Sequence, residues 1–464
     1  MAGGAIKFGT DGWRAKIAEE FTFANLAKVA DAYAKYVLKN DKKPKIAIGY
    51  DHRFLSEKYA EFVAQRLQNY GFCIYFFDKA IPTPVVSFGV KTMKLNSGIM
   101  ITSSHNPFTY NGFKIKNKYG AGITTEETKK IEKFLPDKKQ IKMRKGIIKS
   151  INLDKEYIAS IKKLVDIDAI RKSRIKIVLD NMYGSAKGYM EEILQNYENL
   201  FLVHNYRDPL FGKINPEPIR KNLLDLMSVV KEEKADVGIA IDGDGDRMAA
   251  VDNDGEYITP HKVLVFHLLH HLKHKKMKPN FARTISGTFL IDKIAKINGL
   301  NVVETPVGFK NIADLLIKDN NTIGGEESGG IGFGYYVPER DGILSNLLFV
   351  EFVVNEGKKI TDILGNIDAT YGTYKYDRID VEFKERERKK IIAKVMALKK
   401  KGEIAGKKII KINTLDGIKY ILGDNEWLLF RFSGTEPLLR IYSEAPSDKR
   451  VQELLSFGGE LIKI

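Results

Sequence analysis

Up to about residue 370 the chain alternates short, continuous apolar runs with longer segments in which apolar residues recur every three or four positions. The runs Lys45 to Tyr50, Phe72 to Phe77, Lys176 to Asp180 and Val237 to Ile241 have the length and composition of buried strands. Ile99-Met100-Ile101 reads as the end of another, and Phe113 to Lys116 as a returning one. Asn25 to Leu38, Ser56 to Tyr70 and Lys155 to Leu164 carry an apolar stripe at helical spacing. Leu347 to Val354 is apolar all round apart from Glu351 and predicts a buried helix. Strand then helix, repeated, predicts right-handed βαβ units on parallel or mixed sheets.

From about Tyr371 the pattern changes. Asp377 to Phe383 alternates, Lys384 to Leu398 is a charged helix, and Lys408 to Tyr442 reads as short strands joined by tight turns such as Asp416-Gly417. This predicts an antiparallel sheet with helices on one face, an α+β unit. The expected domains are 1–150, 151–255 and 256–368, all α/β, then 369–464, α+β, with a linker at Gly365 to Gly372.

Bulk properties narrow the classes. The 464 residues are 44% hydrophobic and 29% charged, enough to bury several cores, and no run approaches a membrane span. The N-terminus has no basic segment followed by an apolar core, so no secretory signal is expected. The single cysteine, Cys73, lies in a strand-like run and is expected to be buried as a small hydrophobe. A cytoplasmic location fits. The net charge of +16 is spread over nearly every segment, without an aromatic-plus-basic signature. It reads as a field that draws in a small anionic substrate rather than as a nucleic-acid or membrane surface. His267, His270, His271 and His274 share a helix face but have no carboxylate among them and lysines beside them, so a solvated helix end is expected.

Four loops carry candidate chemistry. In the first, Ser103-Ser104-His105-Asn106-Pro107 follows a buried strand and is followed by a strand that brings Lys114 back. A hydroxyl beside an imidazole on such a loop is a candidate nucleophile, although the same residues make ordinary turns. In the second, Asp242, Asp244 and Asp246 alternate with glycine directly after a strand. Three carboxylates that converge call for a hard divalent cation, and Arg247 and Asn253 stand where an EF-hand needs glycine and glutamate. In the third, Arg431 to Arg440 sets Ser433, Gly434 and Thr435 between two arginines, a pattern suited to phosphate. In the fourth, Gly324 to Gly330 offers Glu326, Glu327 and Ser328 to sugar hydroxyls. Arg14, in the N-terminal glycine-rich turn, is a further cation without a role assignable from spacing.

In their order along the chain, from Phe8-Gly9-Thr10-Asp11-Gly12-Trp13-Arg14 to Arg431-Phe432-Ser433-Gly434-Thr435-Glu436-Pro437, the loops resemble the α-D-phosphohexomutase superfamily of phosphoglucomutases and phosphomannomutases. The resemblance implies three similar mixed-sheet α/β domains and a C-terminal α+β domain around a central cleft. It implies a phosphoserine at Ser104, with Mg²⁺ held by that group and by Asp242, Asp244 and Asp246. His105, Lys114, Arg14 and Arg247 would then offset charge at the reacting group. Glu326, Ser328, Gly308 and Arg340 look like the sugar-binding set, and Arg431, Ser433, Gly434, Thr435 and Arg440 like the clamp for the non-reacting phosphate. The implied reaction moves a phosphoryl group between O1 and O6 of a hexose phosphate through a hexose 1,6-bisphosphate. Partners would be small sugar phosphates, with neither nucleic acid nor membrane, and the chain would be a monomer or homodimer.

One departure bears on the sugar. Gly330 stands where many phosphomannomutase-like members place a histidine, which leaves proton handling to Lys114, His105 or Arg340. That loop, with Thr305 to Lys310 and Glu339-Arg340-Asp341-Gly342, looks closer to glucose-type mutases, so glucose phosphate is the expected substrate. Mannose or glucosamine phosphate is the alternative. The rival classes are a metal-dependent sugar phosphatase, which has no use for a second phosphate clamp, and a non-enzymatic binder of RNA or sugar phosphate.

Overall fold

The computed structural model describes residues 6–9, 11–137, 139–433 and 437–463. The chain divides into two compact units, residues 1–277 with 308–361 and residues 278–307 with 362–464. Its elements build three α/β domains followed by an α+β domain.

In the first unit, a six-stranded sheet runs in the order Trp13–Lys16, Tyr110–Lys116, Ser97–Ile101, Lys45–Tyr50, Cys73–Phe77, Ile147–Ile151. Lys45–Tyr50 pairs in parallel with both Ser97–Ile101 and Cys73–Phe77, while Tyr110–Lys116 pairs antiparallel with Ser97–Ile101 and with Trp13–Lys16. Both faces are covered, so the central strands are apolar throughout rather than alternating. The helix Phe23–Asn40 starts where the Thr22 hydroxyl accepts the Asn25 N–H, and it buries Leu26, Val29, Ala30 and Tyr33. Pro82-Thr83-Pro84 starts the helix Thr83–Thr92, because proline in the first turn loses no helical hydrogen bond. Cys73 is half-buried rather than buried, at the first position of its strand.

The second sheet runs Tyr257–Ile258, Met248–Val251, Val237–Ile241, Ile177–Asp180, Leu200–Val203. Val237–Ile241 is parallel to Ile177–Asp180 and antiparallel to Met248–Val251, so the aspartate loop is the turn of a hairpin. A further hairpin pairs Thr322–Gly325 with Ile331–Phe333. Beside it lies the helix Gly342–Glu356, buried from Gly342 to Val353 and capped by Asp341, whose carboxylate accepts the Ile343 and Leu344 N–H groups. Its buried Glu351 accepts the Lys275 ammonium at 2.7 Å and lies 3.0 Å from His270 Nε2.

Those contacts overturn the expected solvated histidine face. Within the helix Pro260–Lys273, His267, His270 and His271 are buried. The His271 ring stacks on Phe333 with centroids 5.6 Å apart, and its Nε2 lies 2.9 Å from the Tyr335 hydroxyl. The lysines that argued for solvent fall at the end of the helix, where they cannot keep its middle wet. These histidines do not group as metal ligands; among the described residues only the three aspartates do.

In the second unit, Asn280–Thr284 pairs in parallel with Val302–Thr305. An antiparallel sheet runs Lys375–Glu382, Leu438–Ala445, Glu426–Phe432, Ile418–Gly423, Lys411–Asn413, and the helices Arg388–Lys401 and Asp448–Ile462 pack on it through one apolar core. The other face meets Ile285 through Trp427, Leu429 and Tyr442. Buried Lys419 donates to the Ile285 carbonyl at 2.7 Å, with its ammonium 4.0 Å from the Trp427 ring centroid and 4.2 Å from that of Phe289. The linker expected at Gly365 to Gly372 is the helix Ile360–Tyr371, closed by the Gly372 N–H donating to Asp368 O. A glycine at each end of the segment misled: Gly365 is an ordinary helical position and Gly372, at φ 93°, follows the stop. No described helix is long and apolar enough to cross a membrane.

The buried histidines predict an acid limb. Burial pushes His267 and His270 down and His271 to about 4, while the unfolded chain keeps the ordinary value near ~6.5. Between those values the unfolded state binds more protons, so stability is complete above ~6.5 and falls as pH drops, by up to ~1.4 kcal/mol per pH unit for each such histidine. His267, whose ring nitrogens meet no hydrogen-bond partner among the described residues, is the cleanest probe. His267→Leu is expected to flatten the decline between pH 6.5 and 4 in urea titrations; an unchanged slope would contradict the assignment.

Candidate active site

The first unit brings three of the four loops together. Tyr50 lies opposite Ile101 in the parallel pair, so the loops after these strands leave the sheet side by side. Loops at the carboxyl ends of adjacent parallel strands are where open α/β sheets bind ligands. Ser104, on one of them, is fully buried and has a φ of 52°. That left-handed backbone costs a non-glycine residue about 1–2 kcal/mol. It turns the hydroxyl towards the aspartate hairpin, where Oγ donates to Asp242 Oδ2 at 3.1 Å, and Oγ also lies 3.4 Å from His105 Nδ1.

The hairpin turn curls because Asp242 Oδ1 accepts the N–H groups of Asp246 at 2.8 Å and Arg247 at 3.1 Å. Gly245 has a φ of 80°, and a Cβ there would fall 2.5 Å from the Pro82 ring, so the turn requires glycine on both counts. One carboxylate oxygen from each of Asp242, Asp244 and Asp246 lies within 4.8 Å of the others, and all three residues are buried. Asp244 Oδ1 and Asp246 Oδ1 meet no hydrogen-bond donor among the described residues. Converging, all-oxygen, anionic and partly unsatisfied, the set fits a hard divalent cation.

The electrostatics divide the three. Burial, with Asp244 and Asp246 beside it, pushes Asp242 well above the carboxylate range. Burial would raise Asp244 too, but Lys114 at 2.8 Å and the Thr83 hydroxyl at 2.5 Å bring it down. Lys114 is fully buried and also lies 3.0 Å from Asp246 and 2.9 Å from Asp11. Burial opposes its charge, yet these carboxylates overcome it and keep the ammonium protonated. Arg340 donates to Asp246 at 2.6 Å and Asp11 at 3.0 Å, with Glu339 at 3.5 Å and Glu326 at 3.6 Å. Arg14 donates to Asn106 Oδ1 at 2.7 Å, and Arg247 lies 3.9 Å from both Asp246 and Glu217. His105 is held neutral, by burial first and then by Arg247, Arg14 and Lys114.

The sugar-loop candidates sit at the Thr322–Ile331 hairpin turn. Glu326 is buried, which pushes its carboxyl up to about 7 against the opposing pull of Arg340, and it accepts the Gly308 N–H at 3.1 Å. Ser328 is half-buried in the same turn. Arg340 therefore ties the sugar loop to the aspartate hairpin through its own carboxylate partners. Sequence reading missed Asp11, Asp51, Arg53, Thr83 and Thr102. Asp51-His52-Arg53 follows a buried strand as Asp242 does, a signal that was legible but lacked a repeat.

In the second unit, Arg431 and Arg440 lie directly opposite on adjacent antiparallel strands, so their side chains leave the same face. Each is near a carboxylate: Arg431 Nε donates to Asp416 at 2.8 Å, and Arg440 Nε is 3.8 Å from Asp380. Ser433 is buried and its N–H donates to Leu438 O at 2.8 Å. Gly434 and Thr435 lie outside the described residues.

Comparison with known proteins gives the same picture along the whole chain. Models of phosphoglucomutase/phosphomannomutase α/β/α domains I, II and III match residues 5–142, 155–255 and 259–371, and the model of the C-terminal domain matches 379–457. A phosphoglucomutase/phosphomannomutase of Thermococcus kodakarensis is 33% identical over 98% of both chains. A "probable phosphoglucosamine mutase" of Methanosphaera stadtmanae is also 33% identical over 98% of both. The crystal structure of a "putative phosphomannomutase" from Thermus thermophilus superposes with a TM-score of 0.87 at 33% identity, covering 99% of each chain.

Gly330 offers a direct test of the site's packing. A Cβ at this position would fall 2.2 Å from Arg340 Cδ and 2.9 Å from Cγ, and the far end of that side chain is held by its carboxylates. Gly330→Ala is expected to displace Arg340 and to lower stability by about 1–3 kcal/mol in chemical denaturation. Wild-type stability in this variant would show that the arginine is not so held.

Proposed function

Since the chain belongs to the phosphoglucomutase/phosphomannomutase family and is thus a phosphohexomutase, an intramolecular phosphotransferase, we propose that Ser104 carries the transferred phosphoryl group between O1 and O6 of its substrates. The observation that carries this reading is the Ser104 hydroxyl donating at 3.1 Å to Asp242, one of three clustered buried carboxylates that Lys114 and Arg340 countercharge.

Asp242, Asp244, Asp246 and the phosphorylated Ser104 would hold Mg²⁺, which when bound supplies charge neutralisation for a phosphoryl group in transit. The chain's own residues do the rest. The phosphoryl group leaves Ser104 Oγ for the 6-hydroxyl of a hexose 1-phosphate, and the proton of that hydroxyl passes to Ser104. The resulting 1,6-bisphosphate turns end for end, the phosphoryl group passes from O1 to Ser104 Oγ, and the serine proton passes to O1, which leaves the hexose 6-phosphate. Of the three candidates for proton handling, Lys114 is locked in its charged form by Asp11, Asp244 and Asp246, and Arg340 by four carboxylates. His105, held neutral 3.4 Å from Oγ, is the one of the three that does not already carry its proton. Arg431, Ser433, Gly434, Thr435 and Arg440 would grip the phosphate that does not react.

For the sugar, the names of the relatives support mannose and glucosamine phosphates alongside glucose phosphate, rather than glucose phosphate alone. Glu326 and Ser328, with Gly308 and Arg340, are read here as partners of O3 and O4, which all three sugars share, so nothing in this set selects at C2.

The test is a coupled assay with the 1-phosphates of glucose, mannose and glucosamine, with intact-mass detection of one added phosphoryl group. All three are expected to give 6-phosphates, and free phosphate as the main product would identify a hydrolase instead. Ser104→Ala is expected to lower turnover at least about 10³-fold. Thorough chelation is expected to abolish turnover, and full activity under those conditions would remove the metal assignment.

A further inference from the structure

Arg53 touches none of the reacting groups, yet its fully buried side chain is directed at the backbone of the serine loop. One terminal nitrogen donates to the carbonyls of Pro107 at 2.9 Å and Tyr110 at 3.1 Å. The other donates to the carbonyls of Ser104 at 2.5 Å and Asn106 at 2.6 Å. A planar fork thus holds four carbonyl oxygens of a single loop, a pattern that the point charge of a lysine cannot reproduce.

The fork is itself anchored. Its Nε lies 3.3 Å from Asp51 Oδ2, and the same oxygen accepts the Thr102 hydroxyl at 2.5 Å. Thr102 Oγ1 in turn accepts the Ser104 N–H at 2.9 Å. Asp51 Oδ1 takes the Arg53 N–H at 3.0 Å and the Ser56 hydroxyl at 2.7 Å. The Phe211 ring covers the guanidinium at 4.9 Å. The Ser104 carbonyl is therefore held by Arg53 and its N–H by Thr102, and Asp51, at the end of the strand Lys45–Tyr50, anchors both side chains. A non-glycine residue at a φ of 52° keeps that conformation only where its surroundings over-determine it.

We propose that Arg53 is a positioning residue for phosphoryl transfer: it fixes the left-handed backbone of Ser104, and so the direction of Oγ, without binding the substrate. The proposal rests on the reading of Ser104 as phosphoryl carrier. It predicts a loss in the chemical step with little loss in sugar-phosphate affinity, because positioning acts on the reacting atoms alone.

The experiment uses the full-length chain and ³²P-labelled glucose 1,6-bisphosphate, with wild type, Arg53→Met, Arg53→Lys and Arg53→Gly. Wild type is expected to acquire label at residue 104; if it does not, the phosphoserine reading fails before any variant is considered. With wild type labelled, Arg53→Met is expected to lower kcat at least about 100-fold. KM for glucose 1-phosphate should stay within about threefold of wild type. Arg53→Lys should recover only part of kcat. Millimolar guanidinium should restore turnover to Arg53→Gly, and methylammonium should not. Wild-type kcat in Arg53→Met would overturn the proposal. So would a fall in kcat that only tracks the folded fraction and resists guanidinium, or failure of all three variants to fold, since each makes Arg53 a purely structural residue.

Discussion

Three carboxylates buried on one hairpin turn cannot lie within 4.8 Å of one another unless the surrounding protein supplies positive charge. Much of the first unit is arranged to meet that requirement. Lys114 reaches in from the strand returning beside the serine loop, Arg340 from the segment after the sugar hairpin, and Arg247 from the aspartate turn itself. Asp11 bridges Lys114 and Arg340, so the cations do not merely repel one another around the carboxylates. Two carboxylate oxygens remain without donors among the described residues, the form expected of a site that completes itself with a cation.

The same charge balance sets the protonation of the neighbours. Lys114 and Arg340 are held charged and serve as fixed countercharges, whereas His105 is denied a proton by burial and by the cations around it. Glu326, raised to about 7, is divided between burial and the pull of Arg340. One arginine thus couples the charge state of the sugar loop to that of the aspartate hairpin, although the two motifs are far apart in sequence. Geometry adds a second layer of control. The glycines at 245 and 330 leave room for Pro82 and Arg340, and Thr83 meets Asp244 through both its amide and its hydroxyl.

The second unit handles buried charge differently. Lys419 lies under two aromatic rings and is pushed down to about 7 by burial, while Arg283 is kept charged by Asp292 and Glu304. Arg431 and Arg440 stand in register on neighbouring strands, Arg431 beside Asp416 and Arg440 near Asp380. Planar guanidinium groups pair with carboxylates through directional N–H donors, which a lysine ammonium lacks.

The alternation of strand and helix, the change to an antiparallel α+β unit near residue 370 and the motifs of the four loops were legible in the sequence, because burial periodicity and turn chemistry act over a few neighbouring residues. The serine loop, the aspartate triad and the paired arginines could each be named for the same reason. The resemblance already named Lys114 and Arg247 as countercharges, but that Arg340 joins them and that Asp11 bridges Lys114 and Arg340 could not be read, since these groups meet only through strand order and loop packing. Nor could Arg53, whose partners are carbonyl oxygens and leave no trace in residue type. The histidine helix was misread because spacing identifies a shared face but not what covers it, and here Phe333, Tyr335 and Glu351 do. Local patterning determined the elements and the chemistry on each loop; only the long-range fold decided which charges face one another, because Coulomb interactions and desolvation depend on distances in space rather than along the chain.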